Sequence, residues 1–175
     1  MKLNRTLIVA IEATALCTLA AAGPWVQTSQ QRNRVPPSFV GMWRLLSRTQ
    51  RLADGTTRKH PESVAYLIYV DGGRMCYVGM DPNRPNWKSE TTPTPEEAVV
   101  GIAGLGAYCG TVDIHANEGF VVHHIEIEKV PNLVGRDRKR WFVFETPDRL
   151  RLRKDRSELS QPVIDDELVW ERVYN

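Results

Sequence analysis

Two adjacent histidines, His123 and His124, carry the side chains best suited to acid–base or ligand chemistry. They lie in the run Phe120 to Ile127, whose β-branched and aromatic residues predict a strand. Consecutive side chains of a strand point to opposite faces, so the two imidazoles cannot hold one metal ion together. His123 shares its face with Ile125, whereas His124 shares its face with Glu126. We therefore predict that His123 faces a buried interior and that His124 faces solvent.

An interior imidazole has two interpretations. It is a neutral core group bonded to a hydroxyl such as that of Tyr108, or it orients a ligand and acts as a general base. His60 and His115 lie in or near predicted loops, so no metal site is predicted. In an enzyme, His123 and Tyr108 would be the catalytic candidates. The predicted ligand-binding set is Tyr66, Tyr108, His123, Ile125, Arg140 and Phe142.

Composition excludes several classes of function. The chain has 175 residues, 42% hydrophobic and 25% charged, as expected of an ordinary globular domain. Its net charge of +2 provides no strong field for a polyanion, so no nucleic-acid partner is predicted. No phosphate loop, dinucleotide fingerprint, nucleophile elbow or zinc-binding spacing occurs, and no cofactor is predicted.

The elements that must position these residues are short strands separated by turn residues. Eight such strands predict an all-β fold, an antiparallel up-and-down barrel that encloses either packed side chains or one small ligand. The predicted strands are Phe39 to Ser47, Val64 to Val70, Met75 to Met80, Tyr108 to Ile114, Phe120 to Ile127, Arg140 to Glu145, Leu150 to Arg153 and Glu167 to Val173.

One short helix is also predicted. Thr94, Pro95 and Glu97 form a capping-box pattern that begins it, and Gly104 and Gly106 end it. We expect its apolar face to cover an open end of the barrel. The polar segment 81–93, with a lone tryptophan, is interpreted either as a flap over that opening or as an ordinary surface loop.

The N-terminal residues resemble an export signal. Residues 1–22 combine basic residues, an apolar stretch and a final Ala20-Ala21-Ala22, which is typical of a cleaved signal peptide. An uncleaved anchor is the alternative, although Glu12 lies in its middle. Residues 23–38 are predicted to be a flexible linker and 39–175 the barrel. We therefore expect a periplasmic or secreted protein, or alternatively a membrane-anchored one facing the periplasm.

Cys76 and Cys109 remain after such cleavage, in a compartment that would be oxidising. They are interpreted either as a disulfide or as two buried free cysteines.

The ends of the predicted barrel resemble the lipocalin pattern. Gly-x-Trp at Gly41 to Trp43 opens the first strand and Arg172 lies in the last. The resemblance implies that Trp43 plugs the closed end and that Arg172 stacks on it. The order of Asp71 to Met75, Ala107 to Thr111, Val122 to Glu126 and Pro131 to Gly135 is similar to that of the small bacterial and fungal lipocalin-like domain family. That resemblance implies the barrel fold and assigns no reaction.

Three functions follow as hypotheses. The first is an exported barrel that binds a small hydrophobic ligand. The second is an accessory subunit of a membrane-bound or periplasmic complex, anchored through its N-terminal segment. The third is a cofactor-free isomerase or cyclase that uses the barrel interior to hold a reactive substrate conformation.

Overall fold

The structure, a computed structural model, describes residues 35–60 and 64–174. The predicted signal segment and most of the predicted linker lie outside these residues. The elements in chain order are β1 (Gly41–Leu52), β2 (Thr57–Lys59), β3 (Val64–Val70), β4 (Arg74–Met80), α1 (Pro95–Ala103), β5 (Leu105–His115), β6 (Phe120–Glu128), β7 (Asp137–Thr146), β8 (Arg149–Lys154) and β9 (Val163–Val173), with single 3₁₀ turns at Pro131–Leu133 and Arg156–Glu158.

Eight of these strands close into an antiparallel barrel. Strands β3 to β9 pair with their neighbours in chain order, β1 pairs with β3, and β9 returns to β1 along a ladder from Met42↔Val173 to Leu52↔Val163. The short strand β2 pairs with the far half of β1. The predicted eight-stranded antiparallel barrel with one short helix is confirmed; β2 is an addition to it.

The closed end of the barrel is filled by aromatic side chains. The ring of Phe39 packs edge-on against Tyr69, Phe142 and Phe144 at centroid distances of 5.6, 4.9 and 4.9 Å. Trp43 is fully buried beside them, and its indole N–H donates to the carbonyl of Phe39 at 2.9 Å. These contacts make this half of the interior a packed apolar core.

Arg172 seals the same end. Its guanidinium carbon lies 4.2 Å from the centre of the Trp43 ring, and its Nη1 and Nη2 donate to the carbonyls of Val40 and Ser38 at 2.6 Å each. Gly41 has a φ of +134°, and a Cβ at this position would lie 3.0 Å from Nη1 of Arg172. The glycine of Gly-x-Trp therefore leaves room for the arginine to reach the carbonyls behind it.

The helix lies at the opposite end, between β4 and β5. Thr94 and Glu97 form the predicted capping box, and Pro95 begins the helix. Its apolar residues do not cover the barrel: none of the helix residues is buried, and Ile102 is 57% exposed. The helix instead contacts the segment 81–93, where Trp87 lies against Gly101. The expectation that the helix covers an open end is corrected, because its apolar face meets this loop.

Cys76 and Cys109 form a disulfide across β4 and β5, with their Cα atoms 4.1 Å apart. Their sequence neighbours Met75 and Tyr108 face the interior, so alternation places the disulfide on the outer face of the barrel rather than in the core. Among residues 35–60 and 64–174, the structure contains no helix long and apolar enough to cross a bilayer.

Candidate functional site

A small cavity lies inside the barrel, beyond the aromatic core of the closed end. Its volume is about 140 Å³. Aromatic rings, leucines and basic side chains contributed by all eight barrel strands line it. The lining residues are Arg48, Leu67, Tyr77, Tyr108, His123, Arg138, Arg140, Leu152, Lys154, Leu168 and Trp170.

His123 forms the buried polar centre of this lining and is 1% exposed. The hydroxyl of Tyr69 lies 2.8 Å from its Nε2, and the hydroxyl of Tyr108 lies 3.3 Å from its Nδ1. Burial, together with the charges of Arg140 and Arg138, holds the pKa of His123 well below its ordinary value of 6.5. The imidazole is therefore neutral, and tyrosine hydroxyls bond both of its nitrogens.

Tyr108 connects this histidine to the cavity. Burial raises the pKa of its phenol, so the hydroxyl stays protonated and can both donate and accept a hydrogen bond. Its ring stacks on Tyr77 at a centroid distance of 5.1 Å, and the guanidinium of Arg138 lies 4.5 Å from the ring centre. The cavity therefore presents aromatic surface beside a fixed hydroxyl.

The four basic side chains that line the cavity outnumber their carboxylate partners. Arg138 donates to Glu128 at 2.7 Å, and Arg140 donates through Nη1 to both oxygens of Glu158 at 2.7 Å. The remaining two lining cations, Arg48 and Lys154, share one carboxylate, that of Asp166. In total, four basic side chains meet three carboxylates, and one positive charge is in excess.

The shared carboxylate is Asp166, which is 1% exposed. Arg48 donates to it through Nε and Nη2 at 2.8 and 2.6 Å, Nζ of Lys154 lies 2.5 Å away, and Gln50 donates at 3.1 Å. Burial acts to raise the pKa of Asp166, but the hydrogen bonds of Arg48 and the charge of Lys154 outweigh it and lower the pKa to about 2. Asp166 is therefore ionised at neutral pH.

The excess positive charge affects the pKa of Lys154. Burial lowers the pKa of its ammonium group, and the neighbouring Arg48 and Arg140 lower it further, while Asp166 opposes them. The net direction is downward, so the attraction of Asp166 does not fully compensate for burial and the nearby guanidinium groups.

One hydrogen-bond donor of the lining is unpaired. Trp170 is 2% exposed, and its indole N–H has no acceptor among the residues that the structure describes. The neighbouring Tyr77 meets the indole edge-on at a centroid distance of 6.2 Å. A buried N–H without an acceptor lowers the stability of the folded barrel.

The sequence matches a protein family described as a lipocalin-like domain over residues 40–173. The chain belongs to this lipocalin-like domain family. A lipocalin-like barrel is generally associated with the binding of small ligands, hydrophobic ones included, and this membership identifies neither a ligand nor a reaction.

Two further comparisons add little to the family assignment. A solved structure of a redesigned β-barrel is similar at 12% identity and a TM-score of 0.39, covering 78% of this chain and 93% of that one. Comparison with curated proteins finds no match.

Three predicted site residues meet in the cavity of this lipocalin-like barrel: Tyr108, His123 and Arg140. The other three do not line it. Tyr66 lies on the outer face, because its neighbours Ala65 and Leu67 are the buried residues of β3. The interior tyrosine of this strand is Tyr69.

Ile125 and Phe142 were also expected to line the cavity, and they do not for a different reason. Ile125 is buried and belongs to the core rather than to the cavity lining. Phe142 packs against Phe39 at the closed end, with ring centroids 4.9 Å apart. Strand alternation gives the face of a residue but not its height along the barrel.

Sequence reasoning missed several lining residues, including three of the four cations. Extending the inside–outside alternation along each strand would have identified two of these cations. Lys154 follows the inward-facing Leu150 and Leu152 on β8, and Arg138 shares a face with Arg140 on β7. Arg48 could not be found in this way, because β1 shifts register between Leu45 and Ser47. The interior was expected to be apolar apart from His123, tyrosines and Arg140, but four basic side chains line it at this level.

His124 lies on the outer face of the lipocalin-like barrel, as alternation predicts. Its Nδ1 is 2.7 Å from Asp137 and its Nε2 is 3.1 Å from Asp113. Within residues 35–60 and 64–174, no group of three or more histidine, cysteine and acidic side chains is placed to hold a metal ion.

Proposed function

We propose that this protein is an exported binding protein that holds one small molecule in the cavity of its barrel. The observation that carries this proposal is the cavity of about 140 Å³ bounded by Tyr108, His123 and Trp170. An engineered apolar cavity of about 150 Å³ accommodates benzene, so this cavity suits a compact molecule rather than a long lipid.

The lining supports a ligand with one apolar and one polar part. Leu67, Leu152 and Leu168 provide apolar surface, and burial of apolar area contributes roughly 25 cal/mol per Å². Tyr108 and the basic side chains of the lining provide polar groups that would fix the orientation of the ligand. The hydrophobic ligand expected from the sequence is therefore refined to a small amphiphilic one.

Catalysis by His123 is the less favoured function. Both nitrogens of its ring are bonded to tyrosine hydroxyls, so neither is free to take a proton from a substrate without breaking one of these bonds. In the proposed binding protein, His123 instead holds the hydroxyl of Tyr108 in position.

Two observations support export. Residues 1–22 have the pattern of a cleaved signal peptide, and Cys76 pairs with Cys109 on the outer face. Disulfides form and persist mainly in oxidising compartments. Sequencing the N-terminus of the protein isolated from its own cells tests this part: a mature chain that begins near Gly23 supports export, and a cytoplasmic chain that begins at Met1 contradicts it.

An accessory subunit is a second candidate, favoured by a row of apolar residues on the outer face. Ile68, Cys76, Cys109 and Ile127 are directly paired across β3, β4, β5 and β6, and Ile127 is 67% exposed. Exposed apolar surface of this kind occurs where proteins associate. Native electrophoresis of cell extracts containing wild type or Ile127→Lys tests it: a larger species lost only in the variant supports a complex, and equal mobility contradicts it.

Extraction of the native protein tests ligand binding. Wild-type protein is isolated from its own cells, denatured, and the released molecules are measured by mass spectrometry. Leu168→Trp places extra volume in the cavity, and Val143→Trp makes the matched change at a 57% exposed outer position. We expect one compound at near-stoichiometric yield from wild type and Val143→Trp and its loss from a folded Leu168→Trp protein. No bound compound from wild type would contradict the proposal.

A further inference from the structure

We propose that the ligand of this cavity is a compact monoanion, an aromatic or unsaturated carboxylate of about the size of benzoate. This inference rests on the proposed binding function and adds the charge and chemical class of the ligand. It starts from the observation that two cations, Arg48 and Lys154, share the single carboxylate of Asp166.

The first step concerns charge. Lys154 and Arg48 are both within hydrogen-bond distance of one carboxylate, so the group of three carries one net positive charge. The other two lining cations, Arg138 and Arg140, each have a carboxylate of their own. One bound anion neutralises the cavity, whereas a neutral ligand leaves a partly buried cation without compensation.

The second step concerns donors. The hydrogen bonds of Arg140 to Lys139 and Glu158 all come from Nη1. Tyr108, whose hydroxyl stays protonated, lines the same cavity as Arg140. A carboxylate offers two oxygens with about four acceptor sites, which suits a lining that contains several donors and an excess of positive charge.

The third step concerns shape. The stacked rings of Tyr77 and Tyr108, the indole of Trp170 and the side chains of Leu152 and Leu168 form the less polar part of the wall. A planar apolar group fits such surfaces, and a simple inorganic anion would leave them uncovered. The volume limits this group to about one ring.

Titration of the full-length protein with sodium benzoate and with benzamide tests the inference, because the two probes differ mainly in charge. Binding is measured by calorimetry and by tryptophan fluorescence. We expect benzoate to bind on the order of tenfold or more tightly than benzamide. Equal affinities for the two probes would overturn the anionic class.

Two variants of neighbouring residues on β8 test whether Lys154 is the cation that attracts the ligand. Lys154→Met removes the cation that shares Asp166, and Arg153→Met removes the same formal charge from the outer face one residue earlier. We expect Lys154→Met to weaken benzoate binding by on the order of tenfold with little effect on benzamide, and Arg153→Met to behave as wild type. Equal losses in the two variants, or none, would contradict the assignment. Should Lys154→Met fail to fold, Lys154→Gln replaces it, and the wild-type comparison of the two probes needs no variant.

The extraction experiment separates this inference from the proposed function. A neutral molecule recovered from the native protein, with no preference for benzoate, overturns the carboxylate and leaves the binding protein intact. Failure of both probes, with no molecule recovered, overturns both proposals.

Discussion

The hydroxyl of Tyr69 lies 2.8 Å from Nε2 of His123, in a part of the barrel where both side chains are almost completely buried. Burial raises the pKa of this phenol well above its ordinary value and lowers that of the imidazole, so the hydrogen bond joins two neutral groups. Such a pair fixes the ring of His123 and thereby the hydroxyl of Tyr108 on its other side.

Tyr69→Phe removes this bond and leaves one nitrogen of His123 without a partner. We expect the free energy of unfolding to fall by about 1–3 kcal/mol, the usual cost of a buried unsatisfied polar group. Urea unfolding measures the change. Tyr66→Phe makes the same chemical change on the outer face of the same strand and should have little effect. Equal losses in both variants would show that the Tyr69–His123 bond contributes nothing specific.

His123 should make the barrel less stable in mild acid. Its folded pKa lies well below 6.5, so as the pH falls below about 6.5 the unfolded chain takes up a proton that the folded barrel does not. The free energy of unfolding then decreases with falling pH, by up to about 1.4 kcal/mol per pH unit for one such group. Urea titrations at several pH values should show a shallower slope in His123→Gln; an unchanged slope would contradict this assignment.

His124 should act in the opposite direction. Partial burial acts to lower the pKa of His124, but its hydrogen bonds to Asp137 and Asp113 outweigh this effect and raise the pKa. Its stabilising effect is complete below about 6.5 and is lost as the pH rises through the raised value. His124→Gln should therefore flatten the pH dependence only above about 6.5, and this effect should weaken in high salt. A change confined to lower pH would be inconsistent with this pairing.

Asp166→Asn should be strongly destabilising, because it leaves Arg48 and Lys154 without their shared carboxylate. Breaking a buried ion pair costs about 3–5 kcal/mol. We expect the low end of this range, since the two cations are 28% and 27% exposed. Asp165→Asn is the matched control: it changes the same charge beside Arg153, 3.9 Å away on the outer face. Comparable losses in the two variants would argue against a special role for Asp166.

The pKa of Asp166 adds a prediction about acid unfolding of the wild type. The folded value of about 2 lies below the ordinary value of 3.8, so the stabilisation from this carboxylate is present above about pH 4 and is lost as the pH falls toward 2. Asp166→Asn should lack this part of the acid transition in urea titrations. Its persistence in the variant would mean that other carboxylates cause it.

Arg172→Lys should destabilise the closed end although it keeps the charge. A lysine cannot donate to the carbonyls of Val40 and Ser38 as a guanidinium fork does, and it stacks less well on Trp43. We expect a loss of about 1–3 kcal/mol in urea unfolding. Arg149→Lys, on the outer face, is the matched control. A neutral Arg172→Lys variant would show that charge alone is needed here.

The barrel fold could be predicted from the sequence because most strands alternate between apolar and polar residues. On β6, the contrast between Ile125 and Glu126 identified the inner face, and His123 and His124 are placed accordingly. On β3, both faces are apolar, so alternation could not show that Tyr69 rather than Tyr66 points inward.

The cavity was harder to predict than the strands, because its position depends on the register of all eight. The irregularity in β1 after Leu45 reverses the faces of the residues that follow and brings Arg48 inside. A second irregularity lies in β6, where Glu126 is an extra residue between Ile125, which pairs with Gly110, and Ile127, which pairs with Cys109 and is 67% exposed. A Cβ on the opposing Gly110 would overlap the carbonyl oxygen of His124. Neither shift interrupts the sequence pattern visibly, so alternation could not predict that Arg48 points inward and Ile127 outward.

The Cys76–Cys109 bridge encloses the long excursion that contains α1, with a separation of 33 residues along the chain. In the chain-entropy description, a covalent loop of this length stabilises the folded state by about 3–4 kcal/mol. A polypeptide still in a reducing cytosol lacks that contribution, so it can remain easier to unfold for passage through a membrane. In the exported protein that we propose, oxidation after passage would then add this stabilisation in the compartment where the ligand is bound.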